Sequence, residues 1–218
     1  MKLIGKGNIV NRITNSVELR FSEKNTILKI VNLINGKFRT PKINQLHILI
    51  DWLNNKHNID IAKFPIDNSP LNQNAWLTGF IDSDGNFFIR YSDKKINCKF
   101  NLEQRMIYPK TQESYYTILN QICLFLNVKL AIRDRSNYKN PNYIIRVGNQ
   151  ASIQILLDYL NKYALLSSKR LDFKDWEKSF SLILEKKHLT EQGRDIILAH
   201  KNSMNDKRTY FNWDYLNL

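Results

Sequence analysis

The chain has 218 residues, with 33 Lys and Arg against 20 Asp and Glu, a formal net charge of +13. That length allows one or two domains with cores of their own, and the charge, spread along the whole chain, points to a polyanionic partner and away from a membrane surface. No apolar run approaches the ~20 residues of a bilayer span, Cys98 and Cys123 are too far apart for a CxxC motif, and His47, His57, His188 and His200 lack the spacing of zinc ligands.

In chain order, residues 8–22 alternate around Thr14 and Asn15 and predict a hairpin carrying Ile9, Val10, Ile13, Val17, Leu19 and Phe21. A helix is predicted over 24–35, with Ile27, Ile30, Val31 and Ile34 as its apolar face and Gly36 as its stop. KFRTPK, residues 37–42, is a basic connector in which Pro41 biases Thr40 toward extended geometry. A short helix over 43–54 and a polar, Pro-containing stretch lead to a domain boundary at 68–74. The N-terminal MKLIGKGNIVNRITN has neither a secretory apolar core nor the look of a transit peptide, so the protein is expected to stay where it is made or to begin upstream.

The stretch WLTGFIDSDGNFFI, residues 76–89, predicts a short apolar helix running into a strand. Trp76 and Phe80, and Leu77 and Ile81, are each four apart and form an apolar stripe at ~3.6 residues per turn. Gly79 and Ser83 form a second pair, small enough to admit another helix backbone, so Leu77, Gly79, Phe80 and Ser83 are the expected packing interface for a twin helix. Asp82 and Asp84 lie roughly 200° apart around the axis, so one metal cannot use both from one helical face. Gly85 suits a helix end with positive φ, leaving Asp84 and the Ser83 carbonyl as hard oxygen ligands for Mg²⁺ or Ca²⁺.

Strands follow over 86–92 and 96–106, a helix over 111–127, and strands over 129–135 and 142–147 joined by a Ser-Asn-Tyr-Lys-Asn-Pro turn. Helices over 149–163, 171–187 and 190–202 complete the chain. From the motif onward the order is αββαββα, an α+β fold with a helical layer on a four-stranded antiparallel sheet.

Alternation separates the sheet's faces. Phe87, Ile89, Tyr91, Ile96, Cys98, Phe100, Leu102, Leu130, Ile132, Tyr143, Ile145 and Val147 form the apolar one. The other is rich in Asn, Arg and Lys, with Glu103 the main carboxylate. Arg can pair bidentately with guanine and Asn with adenine in a major groove. The candidate nucleic-acid-binding residues are therefore Asn86, Phe88, Arg90, Lys99, Asn101, Arg105, Arg133, Arg135, Asn142 and Arg146, with Arg133 and Arg135 the leading base readers. Lys37, Arg39 and Lys42 are the candidate phosphate contacts.

From Leu77 to Gly85 the sequence resembles the nine-residue motif of the LAGLIDADG homing endonucleases and maturases, with Thr78, Phe80 and Ser83 where that family varies. The αββαββα order extends the resemblance from Trp76 to the C-terminus. It implies a sheet laid in the DNA major groove, with Ile132 to Arg135 as a base-contacting strand, and cleavage of both strands by one acid from each of two paired motif helices. By motif position Asp84 is that acid, Ser83 supplies a carbonyl to the metal, and Asp82 caps or packs. Gln104, in FNLEQR, would order the attacking water, and Lys169, in Ser167-Ser168-Lys169, would stabilise charge at the scissile phosphate. Arg170 is the neighbouring alternative.

One motif occurs in this chain. Residues 1–42 look like the tail of a preceding domain of the same kind, 43–74 a helical linker, and 75–218 the endonuclease-like domain. The second acid would come from an upstream segment or from a second copy pairing through Gly79 and Ser83. The resemblance implies an intron-encoded, Mg²⁺-dependent, site-specific endonuclease acting on double-stranded DNA. An RNA maturase binding its group I intron and a non-catalytic DNA-binding relic are the alternatives. Abundant Asn, Ile, Lys and Leu, the bias of A/T-rich codons, agrees with an organellar gene, and a mitochondrial location is expected.

Overall fold

The computed structural model describes residues 4–13, 16–136 and 140–216. Two units meet in sequence between Asn68 and Ser69.

In the first unit, β1 (Asn8–Asn11) and β2 (Val17–Arg20) pair antiparallel, Asn8 opposite Arg20 and Asn11 opposite Val17. The predicted Thr14-Asn15 turn lies outside the described residues. The helices α1 (Lys24–Ile34) and α2 (Ile43–His57) bury Val31, Leu46, Ile50 and Leu53 in one cluster, with Ile27, Ile34 and Phe38 packed around it. Gly36 follows α1 with φ of 75°, the left-handed geometry that a residue without Cβ adopts at least cost. The segment expected as a linker is therefore divided: α2 shares a core with α1, and its continuation is tied back to both helices. The Asn54 amide bonds Ile61 in both directions, at 2.9 and 3.1 Å, and the Asn35 side chain holds the Ala62 carbonyl at 2.7 Å and the Phe64 amide at 3.1 Å.

In the second unit the elements are α3 (Trp76–Asp84), β3 (Gly85–Tyr91), β4 (Ile96–Arg105), α4 (Tyr116–Phe125), β5 (Leu130–Arg133), β6 (Asn142–Val147), α5 (Gln150–Lys162), α6 (Lys169–Leu184) and α7 (Glu191–Asn202). The four strands form one antiparallel sheet in the order β3-β4-β6-β5. Phe87, Ile89, Cys98, Phe100, Leu102, Ile145 and Val147 are buried on its apolar face in one core with residues of α3 to α7. The centre of that core is aromatic. The Phe87 ring lies 5.4 Å from Phe173 and 5.3 Å from Trp176, and the Trp176 indole N–H donates to the Lys99 carbonyl at 3.0 Å.

Alternation assigned direction but not depth. Ile132, expected inward, is 61% exposed, because it stands near the end of the edge strand β5. The helix predicted from 111 begins at Tyr116, since residues 106–115 turn back on themselves: the Tyr108 amide bonds Glu113 and the Tyr115 amide bonds Met106. Residues 137–139 of the predicted turn between β5 and β6 lie outside the described residues.

Burial pushes the Cys98 thiol up to about 12 and the Cys123 thiol up to about 11. Since the thiolate is the reactive form, both should resist iodoacetamide at pH 8 in the native protein and label on addition of denaturant. Rapid labelling of native protein, followed by mass spectrometry, would contradict this packing.

Candidate active site and nucleic-acid face

Just before the motif helix α3, the Asn74 side chain accepts the Trp76 amide at 3.0 Å, a local side-chain turn that leads the chain into the helix. One face of the helix enters its own domain. Leu77 and Ile81 are fully buried, the Thr78 amide donates to the Tyr159 hydroxyl at 3.1 Å, and the Thr78 hydroxyl donates to the Tyr163 carbonyl at 2.8 Å. Leu77 is thus a core residue of this domain and is removed from the expected twin-helix interface. The opposite face carries Gly79 and Ser83, both exposed, and half-buried Phe80 stacked on Trp76 at 5.1 Å. Nothing lies within 4 Å of the place a Cβ on Gly79 would take.

Asp84 is the last residue of α3 and Gly85 the first of β3. Gly85 has φ of −77° and ψ of 152°, an extended conformation open to any residue, so the expected positive φ is corrected. Its lack of a side chain serves close packing instead. A Cβ there would stand 2.8 Å from the Ile81 carbonyl oxygen and 2.9 Å from the Phe100 ring.

Pairing of Gly85 with Leu102 brings the end of β4 level with the end of α3. The Gln104 amide consequently donates to Asp84 Oδ2 at 3.3 Å, while its own oxygen accepts the Arg105 N–H at 2.9 Å. Lys169 reaches the same place from the first residue of α6, its Nζ donating to the Ile81 carbonyl at 3.0 Å. Burial pushes the Lys169 ammonium below its ordinary pKa, against the upward pull of Asp82, Asp84 and Asp172. Arg170 is turned to other partners: it donates to the Leu165 carbonyl at 3.4 Å and its guanidinium lies 4.8 Å from the centre of the Tyr215 ring.

Asp82 has a different environment from Asp84. Its carboxylate accepts the Leu166 amide at 2.8 Å, the Ser167 amide at 3.3 Å and the Ser167 hydroxyl at 2.6 Å, and the Ser167 oxygen in turn accepts the Lys169 amide at 3.2 Å. This chain of bonds fixes the turn from which Lys169 projects. The Tyr215 hydroxyl also holds that turn, donating to the Ser167 carbonyl at 2.8 Å. Tyr159, Tyr163 and Tyr215 carry no spacing or motif that would have marked them in the sequence.

Among the described residues no group of three or more His, Cys, Asp or Glu gathers around one point. The oxygen ligands the joint offers are the Asp84 carboxylate and backbone carbonyls at the C-terminal end of α3, where that of Ile81 already accepts the Gly85 N–H and Lys169 Nζ. All are hard oxygens, and a site with so few carboxylates suits an ion that keeps waters or shares phosphate oxygens, as Mg²⁺ does.

On the sheet's outer face Asn86, Arg90, Arg105 and Arg146 are exposed, and Phe88, Lys99, Asn101, Arg133, Arg135 and Asn142 are partly so. Phe88, Arg90, Lys99, Asn101 and Arg146 line an open groove of about 490 Å³. At one end of it Lys99 Nζ donates to the Gly148 carbonyl at 3.4 Å. Asn86 is held by Asn205 at 3.3 Å, and Asn205 is anchored to the Phe87 carbonyl at 3.0 Å and to Asp172 at 3.2 Å. Glu103, seen in the sequence only as an exception to a basic face, gathers Arg133, Arg135 and Asn142 around its carboxylate.

In the first unit Lys37 and Lys42 are exposed, but Arg39 is not. Its side chain is 1% exposed and pairs with Asp67 at 2.8 Å. Arg39 is accordingly a buried structural cation and is withdrawn from the phosphate contacts.

The model of the LAGLIDADG endonuclease family matches residues 77–180. The chain is 41% identical over 101 residues to a probable intron-encoded DNA endonuclease, aI1, of Mycosarcoma maydis, covering 46% of this chain and 83% of that protein. It is 33% identical over 227 residues to the intron-encoded DNA endonuclease aI3 of Saccharomyces cerevisiae, covering 87% of this chain and 54% of that protein. Among solved structures, the LAGLIDADG homing endonuclease I-LtrWI bound to target DNA has the same fold, with a TM-score of 0.68 at 20% identity over 92% of this chain and 79% of that one. The LAGLIDADG meganuclease I-AabMI bound to uncleaved DNA is 27% identical, with a TM-score of 0.52 over 66% of this chain and 50% of that one. The fold and the motif joint therefore define a LAGLIDADG domain, and the chain belongs to the LAGLIDADG endonuclease family. It spans about half the length of the S. cerevisiae relative, 54%.

Proposed function

We propose that this chain contributes one half of the catalytic centre of an intron-encoded, site-specific double-strand DNA endonuclease. The observation that carries the reading is the convergence of Asp84, Gln104 and Lys169 on the α3–β3 joint, beside an exposed helix face of small residues. Asp84 and the Ser83 carbonyl would hold a divalent cation, Mg²⁺ by the chemistry of the donors. When bound, such an ion supplies Lewis acidity toward a phosphodiester and lowers the pKa of water. Gln104 orients the attacking water through its amide, and the Lys169 ammonium faces the charge that develops on the scissile phosphate. The polar sheet face takes the major groove of the duplex, and Lys37 and Lys42 add phosphate contacts.

The second acid comes from another motif helix seated on Gly79 and Ser83, carried by a preceding segment or by a second copy of the chain. Residues 1–42 fit the tail of such a preceding domain. The setting is mitochondrial: one relative, 33% identical, is named for a cox1 intron of Schizosaccharomyces pombe, and another, 24% identical, is a mitochondrial protein of S. cerevisiae.

The test uses protein translated from the whole reading frame and duplex DNA spanning the insertion site of its own intron. Strand cleavage should require a divalent ion and stop on addition of EDTA. Gly79→Trp should abolish it by blocking helix pairing, while duplex binding persists and the stability of the isolated chain changes by no more than about 0.5 kcal/mol, the ordinary range for an exposed site. Absence of cleavage with any divalent ion, together with tight binding of the group I intron RNA, would replace this reading with a maturase.

A further inference from the structure

Glu103 is the one acidic residue in the four strands of the sheet, and it stands on the face otherwise made of Asn, Lys and Arg. A carboxylate there opposes the approach of phosphates, so its presence calls for a compensating role. Its geometry supplies one. Glu103 lies on β4 opposite Ile144 of β6, and Ile144 lies opposite Ala131 of β5. The carboxylate reaches across β6 to Arg133 Nη1 at 3.0 Å, and it also binds Arg135 Nη2 at 2.7 Å and Asn142 Nδ2 at 3.0 Å. The bridge passes over Ile144, which is fully buried on this face and stands outside the helix-side core.

We propose that Glu103 is a positioning residue that aims the Arg133 and Arg135 guanidiniums for base reading and so sets the sequence preference of the duplex-binding face. The inference rests on the DNA-binding part of the function proposed above. An arginine side chain is long and rich in rotamers, and bidentate guanine recognition demands one orientation of a planar fork. Glu103 is 20% exposed in its side chain, against 37% and 32% for Arg133 and Arg135, so the anchor sits below the two groups it holds. A guanidinium has five N–H donors, and the bond from Arg133 to Glu103 engages one nitrogen. The clamp therefore limits where the fork points without consuming its capacity to bind a base.

Affinity and specificity should then move in opposite directions. In Glu103→Gln the side-chain shape is kept and the ionic hold is lost. The face gains positive character, so total duplex affinity holds or rises and its salt dependence steepens. Base discrimination falls by ~5-fold or more at the positions read by the two arginines.

The full chain, Glu103→Gln, Arg133→Ala and Arg135→Ala would each be enriched against a randomised duplex library, with thermal midpoints recorded beside them. The proposal expects Glu103→Gln to flatten preference at the same base positions as the arginine variants while binding the unselected library at least as well as wild type. A purely structural role would lower the midpoint and weaken all sequences alike, which would overturn it. Wild-type preference retained in Glu103→Gln, or preference lost at other positions, would overturn it too. If the wild-type chain itself selects no sequence, the DNA-reading assignment fails, an outcome distinct from a selective wild type with an indifferent Glu103.

Discussion

Asp84→Asn should lower divalent-dependent cleavage by ~10²-fold or more, on the scale of removing a group that stabilises transition-state charge, while changing stability by no more than about 0.5 kcal/mol. The substitution is nearly isosteric. An asparagine oxygen can still accept the Gln104 amide that now bonds Asp84 Oδ2 at 3.3 Å, so the local structure has no reason to change. What disappears is the negative charge. Under the proposed function a bound cation would lose its one carboxylate ligand from this chain, and Lys169 loses one of the three carboxylates that oppose the effect of burial on it. The Lys169 pKa should therefore fall further, which works against charge stabilisation at the phosphate. Duplex affinity should stay level or increase, because under the proposed function a negative charge is removed from beside the phosphates. Gel-resolved cleavage alongside calorimetric duplex binding separates the effects, and a variant that still cuts at the wild-type rate would remove Asp84 from the metal site.

Arg39→Ala should destabilise the first unit by about 3–5 kcal/mol, the usual cost of leaving one member of a buried ion pair alone. Asp67 is 15% exposed in its side chain and would keep its carboxylate in a place where water cannot fully solvate it. A unit ending at Asn68 has a small core, and small domains have little stability in reserve. Loss of its protease resistance at temperatures where the second unit stays intact is the expected observation. Lys37→Ala and Lys42→Ala should behave in the reverse way: stability within about 0.5 kcal/mol of wild type, and a salt dependence of duplex binding shallower by ~0.9 for each phosphate no longer neutralised. An Arg39→Ala protein as stable as wild type would mean that the ion pair is a bystander.

The contrast between Arg39 and its neighbours shows where sequence reading stops. KFRTPK reads as one basic run, and nothing in it announces that the middle cation pairs with an aspartate 28 positions on. Gly85 is a similar case. A glycine after a helix suggests a left-handed cap, but here the constraint is the nearby Phe100 ring and Ile81 carbonyl, visible only once β4 is in place. The different environments of Asp82 and Asp84 were legible, because helical residues two apart point roughly 200° away from each other, and the resemblance said which one to watch. The bond from Gln104 to Asp84 follows from the register of two strands, which the hydrophobic alternation allowed but did not specify. The sheet and its apolar face were readable from period-two patterning. The packing of α2 could have been read as well, since Leu46, Ile50 and Leu53 already have the spacing of a buried helical face.

The direct junction of α3 and β3 has a consequence for control. Asp84 ends one regular element and Gly85 begins the next, with no loop residue between them. A ligand held at such a joint has no hinge by which to swing in or out, so under the proposed function its readiness is a constant of the fold. Switching must then come from outside, through arrival of the second helix, in the manner of a lock that needs two keys. A lineage could silence such an enzyme by losing the other key alone, leaving every side chain at this joint as it stands.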